Sequence, residues 1–425
     1  MSNHWPTTTV GEIFDISAGK AMTPAARHGE KQHPFLRTAN VFWGRVDLNE
    51  VDSMHLTDEE LAAKSLLKGD LLVCEGGDIG RSAIWNGEIS DCSFQNHIHR
   101  LRPKADDVLP RFFMYFLQAG FTQLGIYEGA GNKTTIPNLS RNRLAALDVP
   151  KPYKLDQEKI AAILWKVQRT IETEEKLIAT VRELKQSAMR QLYTQGLRGE
   201  AQKETEGAVI PQSWSLERLD RCCNVVSSSV SYTDFAGILE ATEGDKVLAM
   251  GIKVSDMNLP GNESQIVRAN LQKSVSLSFA ERKLVPPNTV VFPKRGAAIA
   301  TNKKRMTTAW TVLDPNLIGV QAGEGVDSDF LFYWFQKFDL RTITEPGPTP
   351  QLNKKNLIPL LLPIPEDLNE QAEIASILKA VDAKLSVHQR MRKTLQELFD
   401  SFLNQLMTGE IRVADLDIDV TEIQS

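Results

Sequence analysis

Two stretches of the chain place apolar residues in alternating steps of four and three. The first runs Ile160, Leu164, Val167 and Ile171, then Glu174, Ile178, Val181, Lys185, Ala188 and Leu192. The second runs Ile374, Leu378, Val381 and Leu385, then His388, Arg392, Leu395, Phe399, Phe402 and Leu406. Such alternation returns to one helix face every seven residues and is the seam of a coiled coil. Outside these stretches the pattern changes. Short apolar runs broken by Gly, Pro, Asn and Asp, as at 34–41, 69–79 and 247–252, predict short strands, and 111–118 and 330–336 predict one aromatic helix in each half. Strands and turns of this kind with a single helix indicate α+β globular parts. Neither long helix has a heptad partner inside its own half, so each packs most simply on the other. The fold class expected is therefore α+β, with two pseudo-symmetric α+β domains separated by a long antiparallel two-helix coiled coil.

The two halves are copies. Ile163-Leu164-x-x-Val167 recurs as Ile377-Leu378-x-x-Val381, and Gln157-x-x-Ile160-Ala161 recurs as Gln371-x-x-Ile374-Ala375. At the far ends, Ser187-x-x-x-Gln191-Leu192-x-Thr194-x-x-x-Arg198 returns as Ser401-x-x-x-Gln405-Leu406-x-Thr408-x-x-x-Arg412. Upstream, Pro137-x-Leu139 with Leu144 and Val149-Pro150 corresponds to Pro350-x-Leu352 with Leu357 and Leu362-Pro363. The globular parts repeat more loosely, in Tyr115-x-x-Gln118 against Tyr333-x-x-Gln336 and in Leu71-Leu72-Val73 before Gly77 against Val290-Val291-Phe292 before Gly296. A period above two hundred residues is a domain duplication, since solenoid and propeller repeats are several-fold shorter. Similar helices joined to diverged globular parts suggest one constant task and one variable task, each performed twice.

Each half opens on a Trp and a short amphipathic turn, Trp5 with Val10 and Ile13, Trp214 with Leu216 and Leu219. Each globular part ends in a proline-bearing stretch, Val149-Pro150-Lys151-Pro152 or Leu362-Pro363-Ile364-Pro365. Proline has no amide donor and restricts its predecessor, so these are extended connectors into the helices. The boundaries expected are a first globular domain at 1–153, a helix at 154–200, a linker at 201–210, a second globular domain at 211–367, a second helix at 368–413 and an acidic tail at 414–425.

At 425 residues the chain holds two or three cores of ordinary size. No apolar run reaches the roughly 18 residues that span a bilayer, and Met1-Ser2-Asn3-His4-Trp5 lacks signal-peptide character, so a cytoplasmic protein is expected. Cys74, Cys92 and the adjacent Cys222-Cys223 have no CxxC spacing and no histidine at ligand spacing, which reads as reduced thiols without a metal. The net charge of −5 argues against coating nucleic acid by bulk electrostatics but leaves a specific reader open, because the position of the positive charge decides. Acidic residues gather at Glu172 to Glu175, from Glu200 to Glu206 and from Asp415 to Glu422. Basic ones gather elsewhere. Lys294-Arg295 and Lys303-Lys304-Arg305 flank Gly296-Ala297-Ala298, while Lys20, Lys31, Arg37 and Arg45 lie in the first half. For any one of these, a solvated loop face is as good a reading as a DNA contact.

Catalytic signatures are missing. Gly131-Asn132-Lys133-Thr134-Thr135 lacks the first glycine and the loop length of a phosphate cradle. Asp314-Pro315-Asn316-Leu317 lacks the second proline and the aromatic of an amino-group DNA methyltransferase motif, and Gly76-Gly77-Asp78-Ile79-Gly80-Arg81 is explained by a tight turn after a strand. Seven histidines show no HExxH spacing. The pattern is that of a binder and spacer with no cofactor.

Taken together and in order, these motifs resemble the specificity (S) subunits of type I restriction-modification systems. The residues that carry the resemblance are the two proline-to-helix junctions with Gln157-x-x-Ile160 and Gln371-x-x-Ile374, the Gln-Leu-x-Thr ends at Gln191 and Gln405, and Gly69-Asp70-Leu71-Leu72 before a glycine turn. Pro34-Phe35-Leu36-Arg37-Thr38-Ala39-Asn40-Val41 also looks like that family's strand after the first loop. The second half departs at Leu248-Ala249-Met250-Gly251-Ile252, where the Arg-Thr-x-Asn residues are absent, and has Asn288-Thr289 in place of Gly69-Asp70.

The resemblance implies that each globular part is a target recognition domain reading half of a split, asymmetric site on double-stranded DNA. It implies two methyltransferase subunits and ATP-dependent restriction subunits as partners, with no catalysis in this chain. The DNA-binding candidates are Lys20, Lys31, Arg37, Thr38, Asn40, Arg45, Arg81 and Lys133 in the first half. In the second they are Lys294, Arg295, Asn302, Lys303, Lys304 and Arg305. The spacer candidates are Leu164, Val167, Ile171, Glu174, Leu378, Val381, Leu385 and His388, with Glu174 and His388 as a polar pair fixing register. The alternative is a coiled-coil, pseudodimeric interaction scaffold without DNA readout; a fused type IIG-like enzyme is set aside by the missing methyltransferase motifs.

Overall fold

The computed structural model describes residues 5–127, 138–241, 244–345 and 350–423. Pro137, Lys133 and the rest of the Gly131–Thr135 stretch lie outside these residues. The chain divides into two compact units, Met1–Lys176 with Gln389–Ser425, and Leu177–His388. The division cuts each long helix near its middle, so each unit holds one globular part and a segment of both helices.

In the first unit an antiparallel sheet runs Phe14–Ala18, Ile98–Pro103, Leu71–Cys74 and Ser82–Ile84 in spatial order. The second unit repeats it with Cys223–Val226, Leu317–Ala322, Thr289–Pro293 and Arg305–Thr307, and adds Gln265–Ile266 at the edge. A smaller sheet repeats as well, Asp52–His55, Gln32–Leu36 and Ser93–Phe94 against Leu271–Ser276, Lys246–Ile252 and Trp310–Leu313, each with one antiparallel and one parallel pairing. The proline-bearing connectors pair as edge strands, Thr7–Thr9 with Asp148–Pro150 and Ser215–Arg218 with Leu361–Ile364, where a missing amide costs no ladder bond.

Each main sheet is covered by its aromatic helix, Pro110–Thr122 or Ser328–Gln336, whose Phe and Tyr side chains fill the core. Both opening tryptophans pack edge-on against equivalent rings, Trp5 on Phe112 at 6.1 Å and Trp214 on Phe330 at 6.2 Å. The recurring Gln has a structural task. Gln157 is fully buried; its side-chain oxygen accepts from the Leu109 amide, and its nitrogen donates to the Asp107 and Pro152 carbonyls. Gln371 does the same with the Asp327 amide and the Gly325 and Pro365 carbonyls. Each Gln thus fastens the start of a long helix to the loop before the aromatic helix.

The long helices span Lys154–Gln195 and Leu368–Met407. Their Gln-Leu-x-Thr ends are helix stops. Thr194 and Thr408 turn their hydroxyls back to the Arg190 and Asn404 carbonyls, and Gly196 and Gly409 then take positive φ. In the first unit Lys159 donates to the Val413 and Ala414 carbonyls and Arg392 pairs with Glu175 at 3.2 Å, so the segments run antiparallel. In the second unit Lys185 pairs with Asp382 at 2.6 Å, Leu197 donates to Glu370 and Arg198 pairs with Asp367, again antiparallel. Leu164, Ile171 and Leu378 are buried, and Val167, Val381, Leu385, Glu174 and His388 are half-buried. Arg392 leaves the predicted seam for solvent, held by its ion pair with Glu175. Two α+β parts with long antiparallel-paired helices are the expected fold class.

One expectation about the second half is corrected. The equivalent of Arg37-Thr38-Ala39-Asn40 is present there as Lys253-Val254-Ser255-Asp256. In each case a 3-10 turn follows the strand, and the fourth side chain accepts from the first backbone amide, Asn40 from Arg37 at 2.8 Å and Asp256 from Lys253 at 2.8 Å. The letters differ but the hydrogen bond is the same. Likewise Asn288 takes φ 59° where Gly69 takes φ 91°, because Asn tolerates the left-handed region better than most residues.

Candidate nucleic-acid interface

In the first unit the strand Leu71–Cys74 runs into the Gly76-Gly77 turn, where Gly77 has φ 76° and the Arg81 guanidinium lies 4.0 Å from the position a Cβ would take. Arg81 follows and is largely withdrawn. Its guanidinium donates to the Thr38 carbonyl at 3.1 Å, pairs with Asp78 at 3.2 Å and lies 5.3 Å from the Phe42 ring centre. Arg45 approaches the same ring at 5.1 Å and is exposed. Phe42 therefore seats two cations side by side, where the ring face offsets part of their mutual repulsion. Arg37 is half-exposed and pairs with Asp52 at 3.0 Å; Lys31 is exposed and pairs with Asp58 at 2.7 Å. An exposed pair of that kind is worth little, so a phosphate can take the lysine from its carboxylate at small cost.

Other first-unit candidates are spent internally. Asn40 is buried, with its oxygen accepting from Arg37 and its nitrogen donating to the Asp47 and Glu50 carbonyls. It shapes the turn that presents Arg37 and Thr38 and offers no edge to a base. Lys20 reaches inward to Glu60 at 2.5 Å and to the His55 carbonyl at 2.9 Å, and its ammonium holds the Glu60 carboxyl below its usual range.

In the second unit Gly296, at φ 61° with nothing near its Cβ position, opens the loop between Arg295 and the short helix Ala297–Ala300. Arg295 is exposed and Lys294 half-buried; burial and the neighbouring Arg295 both lower the Lys294 pKa. Lys303 bonds to Asn258, and Arg305 donates to the Lys304 carbonyl at 2.8 Å and the Met257 carbonyl at 3.4 Å. Lys304 is the exception in the basic run. It is 1% exposed, donates to Asn302 and to the Phe338 carbonyl, and burial drives its pKa down to about 8. Asn302 in turn binds the Leu340 amide and the Phe338 carbonyl. Lys304 and Asn302 therefore brace the loop and leave Arg295 and Lys303 as its outward charges, with Arg305 half-buried on backbone carbonyls.

Sequence reasoning missed Phe42 as the seat for Arg45 and Arg81. It also missed Lys253, which lies 4.2 Å from the Tyr232 ring as the counterpart of Arg37. The signal that could have found Lys253 is the acceptor-bearing Asp256 three residues on, which accepts from the Lys253 amide as Asn40 does from Arg37. Among the described residues no cluster of His, Cys, Asp and Glu could hold a metal, and no helix is long and apolar enough to cross a membrane.

The arrangement offers cationic loops on two copies of one scaffold. The family model for the type I restriction modification DNA specificity domain matches residues 3–183 and 257–397. The chain belongs to that family. Its task is DNA sequence specificity. It is 22% identical over 424 residues to the putative type I restriction enzyme MjaX specificity subunit of Methanocaldococcus jannaschii, covering 96% of this chain and 94% of that one. The MjaVIII specificity subunit of the same organism is 23% identical, covering 97% of this chain and 94% of that one. In fold the chain is similar to the type I restriction-modification S subunit from M. genitalium, with a TM-score of 0.58 at 14% identity over 96% of this chain and 97% of that one. The gap between the matched segments, 184–256, contains the helix end, the linker and the opening of the second globular part.

Proposed function

We propose that this specificity subunit reads a bipartite, asymmetric site on double-stranded DNA, one half-site per globular part. The parts 1–153 and 211–367 act as target recognition domains, and the helices at 154–200 and 368–413 act as the spacer. The observation that carries this reading is the duplication itself. The same sheet order occurs twice, each copy is fastened to a long helix through a buried Gln, and the loops that bear charge differ between copies. Identical fastenings with different loops are what a reader of two unlike half-sites needs.

Lys31, Arg37, Thr38, Arg45 and Arg81 are the contact candidates in the first part, with Lys294, Arg295, Lys303 and Arg305 in the second. Lys133 belongs to the same proposal. Lys20, Asn40, Asn302 and Lys304 position these loops. Phosphate contacts would set register and base-edge contacts would set sequence. Glu174 and His388 form a polar pair that fixes helix alignment, as single polar seam residues can.

The chain supplies specificity in the cytoplasm to a complex of two methyltransferase subunits and restriction subunits, without catalysing either reaction. Exposed apolar residues on the helices, among them Leu184, Val387 and Met391, support a docking role for the stem. The experiment is co-expression with a type I methyltransferase subunit, co-purification and sequencing of methylated adenines. A motif in two blocks that appears only when this chain is present is expected. Methylation that is the same without it would favour the scaffold alternative.

A further inference from the structure

The first unit carries a groove whose lining holds more cations than carboxylates. Its floor is Gln168 of the first long helix, which donates to the Gly44 carbonyl at 2.9 Å and accepts from the Tyr115 hydroxyl at 2.8 Å. This ties the Val41–Val46 hairpin, the aromatic helix and the long helix together. The space above has a volume of about 790 Å³ and is lined by the cations Arg45, Lys68, Arg111, Arg169 and Lys176. Two of them share one indole, since the Arg111 and Arg169 guanidiniums each lie 5.8 Å from the Trp165 ring. Burial lowers the Arg111 pKa, the mark of a cation short of water.

Among the described residues the lining carboxylates are Glu88 and Glu172. Glu88 uses its two oxygens on the backbone and side-chain nitrogens of Asn86, and Glu172 stands 3.6 Å from Arg169. Even without Lys176, the four cations Arg45, Lys68, Arg111 and Arg169 outnumber the two carboxylates, and a cleft lined mainly by one sign of charge focuses its field.

The duplication supplies an internal comparison. At the corresponding corner of the second unit, Asp329 stands for Arg111, Lys379 for Trp165 and Ala383 for Arg169. Asp329 and Lys379 neutralise each other at 3.3 Å. The cations at Arg111 and Arg169 are a property of the first half and not of the shared scaffold. Beyond the groove, Arg45 shares the Phe42 ring with Arg81, whose guanidinium is paired with Asp78. Several cations lining one space, Arg45, Arg111 and Arg169 among them, suit a polyanion better than a single carboxylate.

We infer that this groove clamps backbone phosphates of the DNA beside the first half-site, without reading sequence, so that the stem of the first half contributes to binding and that of the second does not. The inference rests on the DNA-reading function proposed above.

The test uses the full-length chain in complex with its methyltransferase subunit. The variant is Arg169→Ala with Lys176→Ala, both exposed helix positions where alanine keeps the helix; circular dichroism checks the fold. The probes are a duplex carrying the methylated motif and a duplex of unrelated sequence, each titrated against salt. Loss of two phosphate contacts should make the slope of log affinity against log salt shallower by about 1.8, with roughly 10- to 100-fold weaker binding near 0.1 M salt on both duplexes. The methylated motif should stay the same, and Lys379→Ala should leave the slope unaltered. An unchanged slope in the double variant while the parent complex binds DNA overturns the clamp and leaves the recognition reading standing. A parent complex that binds neither duplex sinks that reading and the clamp with it. Saturable binding of a polyglutamate peptide, lost in the variant while the DNA slope is unchanged, would assign the groove to an acidic protein segment and also overturn the clamp.

Discussion

Removing the Lys185 ammonium should destabilise the second unit, and copying the first unit's chemistry should restore it. Lys185 and Asp382 pair at 2.6 Å with side chains 19% and 14% exposed, and the Tyr333 hydroxyl donates to the other Asp382 oxygen at 3.0 Å. At the equivalent place in the first unit the Tyr115 hydroxyl donates to Gln168 at 2.8 Å and Phe399 packs on the Tyr115 ring at 6.0 Å. One junction is a charged trio and the other is neutral. Truncating one partner of a buried pair costs about 3–5 kcal/mol because a charge is left alone. Here Tyr333 still serves Asp382 and some water reaches it, so Lys185→Ala should cost roughly 2 kcal/mol. For a unit of this size that is a fall of about 4–8 °C in its transition. Lys185→Phe with Asp382→Gln removes both charges together and should return stability to within about 1 kcal/mol of the parent. Calorimetry with amide exchange over 329–336 and 378–388 assigns the change to the second unit. If Lys185→Ala shifts neither signal, or the double variant is as weak as the single, the ion pair is not what holds this junction.

The buried Gln residues should behave as a matched pair: Gln157→Leu and Gln371→Leu each strand one amide and two carbonyls and should cost about 2–4 kcal/mol in their own unit, read by amide exchange in 105–115 and 325–335. Lys304 sets a pH dependence. Its folded pKa of about 8 lies below the ordinary 10.5, so the folded state releases its proton first and the penalty of burying the charge is relieved as pH rises between those values. Parent stability measured against Lys304→Met by urea unfolding should therefore rise from pH 8 to pH 10, and a flat difference would argue that the ammonium is not held in a dry site. Thiol labelling at pH 8 should modify Cys222 first, since its half-buried thiol is lowered by the Cys223 hydrogen bond, while burial pushes Cys74 up to about 11 and Cys92 up to about 12. Equal labelling of Cys74 and Cys222 by mass spectrometry would contradict that order.

The long helices and the duplication were legible because heptad spacing is local and the same letters recur at one offset. The aromatic helices were legible for the same reason. The two sheets were not, since the order of Phe14–Ala18, Ile98–Pro103 and Leu71–Cys74 depends on contacts between distant segments that carry no shared pattern. The turn at Lys253–Asp256 escaped because Asp can make the hydrogen bond that Asn40 makes, and identity of letters was the wrong test. Lys304 misled for a different reason. In the strand Arg305–Thr307 and the residue before it, alternation turns one lysine of a basic run inward, and only the Phe338 carbonyl and Asn302 reveal that it can be accommodated. The groove charge was out of reach altogether, because Arg45, Lys68, Arg111 and Arg169 come from four separate segments.

If the long helices are the spacer of the proposed function, they set the distance between the two DNA-reading parts. The direct measurement is the methylated-adenine motif in cells expressing the methyltransferase with a subunit carrying four extra seam-compatible residues near the middle of each long helix. Four residues add roughly 6 Å of helix, and DNA rises about 3.4 Å per base pair. The same two half-sites should appear, separated by one or two more unspecified base pairs. An active complex that methylates the original motif with its original spacing would show that the helices do not set the distance.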